Sequence, residues 1–262
     1  MDLQVKGKVF LVSGGSKGLG FSVARNLAAD GALLAISSSS TASIQSAASE
    51  IVKLYGSIVD PSTVDVRSPE DIQRWVDSVA EKFGRIDGIF VNSGGPPAGE
   101  FLSLTDNDWQ HAFELLVFSS IRLSRSVIPH LKKTAGAILF NTSLSVKEPV
   151  ANLTLSNVLR GSVSSLSKTL SKELAPFRIR VNQILPGRID TDRIKSLDAV
   201  NAEKQHLSVD DMKLKNIASI PLGRYGDPDE YGRAAAFLLS PAASYITGES
   251  ISVDGGFMKS VL

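Results

Sequence analysis

The chain has 262 residues, 43% of them hydrophobic, a formal net charge of +1 and no cysteine. The near-neutral balance leaves no electrostatic footprint for nucleic acid or an acidic membrane surface, and the absence of cysteine excludes disulfides, thiolate catalysis and cysteine-ligated metals. No apolar run reaches the roughly 20 residues of a membrane span, the first residues lack the apolar stretch of a signal peptide, and His111, His130 and His206 are scattered without ligand spacing, so a cytoplasmic protein without a metal centre is expected.

Val9-Phe10-Leu11-Val12-Ser13 is a short run of β-formers, expected as a buried first strand. Gly14-Gly15-Ser16-Lys17-Gly18-Leu19-Gly20 follows, and Phe21, Val23, Ala24, Leu27 and Ala28 then fall on one helical face that ends at Gly31. Strand, glycine loop and helix together form the context of a phosphate cradle, because residues without side chains let backbone N–H groups and a helix N-terminus approach a pyrophosphate. A second strand is expected from Ala32 to Ile36, ending in Ser37-Ser38-Ser39-Ser40. No carboxylate stands there to take the ribose hydroxyls of NAD. The serines and Lys17 suit the 2′-phosphate of NADP, although a plain polar loop beside a solvated lysine reads the same way.

Further along, a helix is expected over residues 43–54 and a third strand ending at Thr63-Val64-Asp65-Val66. Ser68 and Pro69 cap the next helix, whose buried stripe is Ile72, Trp75, Val76, Val79 and Phe83 and which Gly84 closes. Ile86–Val91 reads as a fourth strand closed by Asn92-Ser93-Gly94-Gly95-Pro96-Pro97, residues 108–133 as one long helix, Ala137–Asn141 as a fifth strand, and residues 153–175 as a helix with the stripe Leu159, Val163, Leu166, Leu170 and Leu174. Arg178–Leu185 is expected as the sixth strand, a last helix opens at Pro228-Asp229-Glu230 and runs through Leu239, and Ile251–Val253 is the seventh strand. Strands alternating with helices at this spacing predict an α/β fold. The expectation is a single-domain, Rossmann-type, doubly wound parallel sheet of about seven strands with helices on both faces and ligands outside the carboxyl ends of the strands.

Five motifs in order resemble the short-chain dehydrogenase/reductase family over essentially the full length. They are Gly14-x-x-x-Gly18-x-Gly20; Asp65-Val66; Asn92-Ser93-Gly94-Gly95; Arg180-Val181-Asn182-x-x-x-Pro186-Gly187-x-Ile189-x-Thr191; and Tyr245-Ile246-Thr247-Gly248-x-x-Ile251-x-Val253-Asp254-Gly255-Gly256. The nearest branch in flavour is that of 3-oxoacyl-carrier-protein reductases, which includes sequences with an incomplete catalytic set. The resemblance implies a nicotinamide dinucleotide held by Gly14, Ser16, Lys17, Gly18, Leu19, Gly20, Ser37, Ser38, Asp65, Val66, Asn92, Ser93, Gly94, Arg160, Pro186, Gly187, Ile189 and Thr191. It also implies a mobile helical lid over about 190–220 and assembly as a homodimer or homotetramer through the two long helices.

The same resemblance exposes a gap. Where the family keeps a tyrosine and, four residues on, a lysine, this chain has Ser156 and Arg160; where it keeps an asparagine in the long helix, this chain has Leu116. Only Ser143 matches among the four groups. In the family the lysine charge lowers the phenol from about 10 toward neutrality, the range a general acid–base group needs. An aliphatic hydroxyl is a far poorer acid, and an arginine stays protonated, yet its fork can bond ribose hydroxyls or a developing alkoxide. No tyrosine lies between Tyr55 and Tyr225 to stand in, leaving Tyr225 or a partner chain as the remaining source of a phenol. Two readings follow: an NADP-preferring oxidoreductase of a carbonyl or alcohol, in which Ser143 and Ser156 hold oxygen, Arg160 stabilises charge and water carries the proton; or a dinucleotide-binding protein without turnover, a sensor or oligomer partner.

Overall fold

A computed structural model describes residues 2–260. Seven parallel strands form one sheet in the order β3-β2-β1-β4-β5-β6-β7: β1 (Val9–Ser13), β2 (Leu33–Ser38), β3 (Val59–Thr63), β4 (Gly88–Val91), β5 (Ala137–Asn141), β6 (Arg180–Pro186) and β7 (Ser250–Val253). Successive side chains of a strand point to opposite faces, so each central strand feeds two cores. Val9 and Leu11 of β1, with Ile89 and Val91 of β4 and Ile138 and Phe140 of β5, pack under α3 (Pro69–Phe83), α5 (Ser119–Thr134) and α6 (Thr154–Glu173). Phe10, Val12, Phe90 and Leu139 point the other way, under α1 (Gly18–Ala29), α2 (Thr41–Tyr55) and α9 (Pro228–Leu239). Burial on both faces is why these strands read as unbroken apolar runs. The order in which strands are added reverses between β1 and β4, and the crevice at that switch point opens at the carboxyl edge.

Three expectations from the sequence change. The third strand ends at Thr63, before Val64-Asp65-Val66, and it runs through Asp60 and Pro61. Proline is tolerated because β3 is an edge strand whose only neighbour is β2. The long helix is not continuous: α4 (Asp106–Phe113) passes through a π-helical turn over Glu114–Phe118 into α5. The Ser119 and Ser120 hydroxyls donate to the Leu115 and Leu116 carbonyls at 2.6 and 2.7 Å, holding carbonyls that the widened turn leaves short of their usual partners. On α6 the deepest side chains are Leu155, Ser156, Leu159, Val163, Ser167 and Ser171, so the buried stripe bends toward serines and leaves Leu166 and Leu170 at its edge.

The segment after β6 carries α7 (Asp192–Lys204) and α8 (Val209–Ala218). Among the described residues no helix is long and apolar enough to cross a membrane.

Candidate active site

The carboxyl ends of β1, β4 and β5 meet in a chain of hydrogen bonds. Ser13 donates to the Asn92 carbonyl. Asn92 Nδ2 donates back to the Ser13 and Gly14 carbonyls at 3.3 and 3.4 Å. Asn92 Oδ1 accepts from Asn141 Nδ2 at 2.7 Å, and Asn141 Oδ1 accepts from the Tyr231 hydroxyl at 2.9 Å. Tyr231 rises from α9 on the far face of the sheet and is fully buried. Burial pushes its phenol well above the usual value, with the Arg160 charge opposing, so it is a fixed donor at neutral pH. No sequence signal announces this network; Asn141 at a strand end and Tyr231 in a polar-flanked helix turn are ordinary residues until the fold joins them.

Around this chain of bonds the glycine loop is built tightly. Gly14 has a φ of +65°, and a Cβ on it would lie 2.5 Å from Asn92 Nδ2. A Cβ on Gly20 would lie 2.1 Å from the Gly14 carbonyl oxygen, closer than any real contact, so the loop closes onto the start of α1 only with glycine there. Gly15 N–H is held by the Ser37 carbonyl at 2.9 Å. Ser16, Lys17, Gly18 and Leu19 carry the bend into α1. Lys17 is the N-cap, no side chain caps the helix, and its first turn holds no acidic residue. The leading N–H groups of α1 are therefore free to meet an anion.

The neighbouring predicted residues divide. Ser37 is fully buried and its hydroxyl has no partner, whereas Ser38 donates to the Ser40 carbonyl at 3.0 Å, and Ser40 caps α2. Part of the serine run is therefore committed to starting a helix. Asp65 is bound by Arg67 at 2.7 Å, and that hydrogen bond holds its carboxyl below the usual range. Val66 packs at the edge of the core. Ser93 lies beside Asn92, and a Cβ on Gly94 would meet open space. Beyond Pro186, the end of β6, Gly187 fits against Asp254 and bonds the Val253 carbonyl at 2.9 Å. Ile189 pairs with Gly226, and Thr191 comes to within 3.6 Å of where a Gly18 Cβ would stand. Gly18 and Thr191 line one hollow, Asn92, Ser93 and Arg160 line a second, and the close approach of Gly14 to Asn92 joins the two into a groove. Its free helix start and side-chain-free loop fit a dinucleotide, whereas the Ser37 hydroxyl, predicted to face the adenosine end, is enclosed in the interior.

Arg160 reaches that groove from α6. Its guanidinium donates to the Asn141 carbonyl at 2.9 Å and lines a cavity of about 10 Å³ with Asn92, Ser93, Leu116, Ser120, Asn141 and Val163. Burial lowers Arg160 to about 10; the Tyr231 phenol opposes this and the Arg193 charge adds to it. The residue is still a cation at neutral pH. Leu116 therefore occupies, from inside the π turn, a wall of the cavity that holds the arginine. Ser156 is buried one turn earlier on α6, and the 3₁₀ turn Leu144–Val146, capped by Ser143, packs against the same helix. Ser143 Oγ accepts the Ser145 N–H at 3.1 Å, while the buried Ser145 hydroxyl has no partner. Among the described residues no hydrogen bond joins Ser143, Ser156 and Arg160. Tyr225 does not enter the groove: its hydroxyl donates to Asp198 at 2.7 Å, and Asp198 also pairs with Arg188 at 2.9 Å.

Comparison with known proteins agrees with this geometry. A family model described as enoyl-(acyl carrier protein) reductase matches residues 14–258. The 3-oxoacyl-acyl-carrier-protein reductase FabG of Vibrio cholerae is 31% identical over 256 residues, covering 97% of this chain and 98% of that protein. The 7alpha-hydroxysteroid dehydrogenase of Escherichia coli K12 is 30% identical, covering 97% and 96%. Among solved structures, L-sorbose reductase from Gluconobacter frateurii, complexed with NADPH and L-sorbose, superimposes with a TM-score of 0.94 at 29% identity over the whole of both chains. NAD+-bound xylitol dehydrogenase gives a TM-score of 0.91 at 26% identity, covering 97% of this chain and 100% of the other.

Proposed function

The chain belongs to the short-chain dehydrogenase/reductase family of oxidoreductases, and from that premise we propose that it is an NADP-preferring enzyme acting on a carbonyl or alcohol without a tyrosine acid. The observation that carries this reading is the Arg160 guanidinium, held on the Asn141 carbonyl in the groove beside Asn92 and Ser93. A bound nicotinamide dinucleotide supplies or accepts the hydride; the protein orients it and stabilises charge. Gly14, Gly18 and Gly20 with the start of α1 would hold the pyrophosphate. Ser38 and Lys17 would face the adenosine 2′-phosphate, Asp65 and Val66 would flank the adenine, and Ile189 and Thr191 would hold the nicotinamide end. The absence of a carboxylate at the end of β2 supports NADP over NAD.

On the substrate side Ser143 and Ser156 hold the oxygen, Arg160 stabilises the negative charge that builds on it, and water delivers the proton. An arginine suits this role because it donates without losing its own proton. Helices α7 and α8 form a lid over the groove. Phe113, Phe118 and Val158 stay exposed on α4, the π turn and α6, which supports assembly of two or four chains through that face.

Titration with NADPH and with NADH, followed by fluorescence of the bound nicotinamide, tests the cofactor half. NADPH is expected to bind at least tenfold tighter. A carbonyl and alcohol panel then tests turnover, and binding of NADPH with no turnover of any member would overturn the oxidoreductase reading. It would favour binding without redox chemistry, the reading supported by Leu116 in the cavity wall.

A further inference from the structure

Two arginines in this protein are withdrawn from water far enough to be lowered to about 10, and they are satisfied very differently. Arg180 spends its fork on three carbonyls at the end of α9, bonding Leu238 at 2.7 Å, Leu239 at 3.1 Å and Ser240 at 2.8 Å. Those carbonyls are the negative end of a helix, so the cation is neutralised in place. Arg160 has the same five donors and, among the described residues, bonds a single carbonyl. Nor does a carboxylate compensate it: among the described residues neither Arg160 nor Arg193 takes part in an ion pair. Burial is the largest influence on Arg160 and the Tyr231 phenol the next, and a second cation adds to the burial in the same direction. Arg193, in the first turn of α7, crosses to the Asn92–Pro97 turn, where its guanidinium lies flat on Gly95 and donates to the Pro96 carbonyl at 2.9 Å. A Cβ on Gly95 would lie 2.9 Å from the guanidinium carbon, so the approach depends on glycine. The two forks thus flank one short turn, Arg160 beside Asn92 and Ser93 and Arg193 beside Gly95 and Pro96.

Like charges held together in a desolvated cleft are costly unless an anion enters. A planar carboxylate accepts from two guanidinium forks at once and would fill donors that the protein leaves open. We propose that Arg160 and Arg193 form a carboxylate-binding site beside the reacting oxygen, so that the substrate is an oxo acid or hydroxy acid, not a neutral ketone or alcohol. The inference rests on the proposed oxidoreductase function and narrows its substrate class. Because Arg193 stands at the start of α7 and already bonds the Pro96 carbonyl, the arriving carboxylate would reinforce the hold of that segment on the turn after β4.

The test uses the whole chain with a series of straight-chain oxo acids of three to eight carbons and their methyl esters, each scored by thermal midpoint with and without saturating NADPH. At least one acid is expected to bind tenfold or more tightly than its ester. Arg193→Gln is expected to bring the two within twofold while NADPH affinity stays within twofold of the parent, and Arg193→Lys, which keeps charge and loses the fork, to fall between. Esters binding as well as acids, or no acid in the series shifting the midpoint, would overturn the inference. So would inorganic phosphate competing as well as the best acid, or Arg193→Gln weakening NADPH as much as the acid, which would make Arg193 a clasp on the cofactor. The fluorescence titration reads the broader function separately: NADPH binding with no acid recognition removes only the substrate class, whereas failure to bind NADPH removes the oxidoreductase reading whatever the acids do.

Discussion

The groove has two walls, and they differ in how they are held. The glycine-loop wall is over-determined: Gly14, Gly20, Asn92 and Asn141 interlock through backbone approach and side-chain amide hydrogen bonds, and few other residues would fit. The α6 wall is under-determined: Ser156 and Arg160 replace a phenol and an amine, Leu116 faces the arginine, and open donors remain. A wall fixed by sterics can keep binding a cofactor while the chemistry opposite it changes. This is why strong likeness in fold and glycine pattern says less about the reaction than two side chains on one helix.

The contrast between the walls breaks most visibly at Gly20. Gly20→Ala puts a methyl group against the Gly14 carbonyl, so the loop must open. NADPH affinity is expected to fall at least 100-fold, about 2.8 kcal/mol, in a fluorescence titration. A loss under threefold would mean that the loop is not a phosphate cradle. The opposite wall should respond in the other coordinate. Arg160→Ala is expected to lower kcat by about 100-fold, the loss typical for removing one donor to a developing oxyanion, with NADPH affinity within threefold. Equal losses in kcat and cofactor affinity would merge the two walls into one function.

Much of the over-determined wall is legible in the amino-acid sequence. The spans of β1, α3, β5 and α9 agree residue for residue with their sequence signals, because each has an apolar run or stripe bounded by a cap, a glycine or a proline. The π turn at Glu114–Phe118 is not legible. One extra residue in a turn rotates the apolar stripe without interrupting it, and the hydroxyls that hold the turn, Ser119 and Ser120, look like ordinary surface serines. The edge strand is blurred by Asp60 and Pro61 for the reason that it has one neighbour. The Tyr231–Asn141 bond joins residues 90 apart across the sheet, and only the fold brings them together. Arg193 is visible merely as one of several basic residues in a polar segment; its approach to Gly95 depends on where α7 begins.

Tyr231 tests whether the far layer supports the cradle. Tyr231→Phe removes the donor to Asn141 Oδ1 and leaves that acceptor unpaired in the interior. A loss of about 1–3 kcal/mol is expected, read as a drop in thermal midpoint of roughly 2–4 °C per kcal/mol. NADPH affinity should weaken only a few-fold, because Asn92 keeps its own bonds to the loop. An unchanged midpoint would show that the phenol merely fills space.

The smallest effect, and the most informative about chemistry, concerns protons. Burial lowers Arg160 from its ordinary value to about 10, so it stays charged across pH 6–9. The turnover rate, measured with a substrate that itself does not titrate in this range, should be level from pH 6 to 9 and fall only above that. A phenol tuned toward neutrality by an adjacent amine would instead bend the profile inside that window. Ser156→Ala should then cost only about threefold in kcat, since its hydroxyl holds oxygen and does not supply the proton, and the profile should keep its shape. A loss of a hundredfold with a new pH limb would mean that the Ser156 hydroxyl is ionising, and the proton would have to be traced through the serine after all.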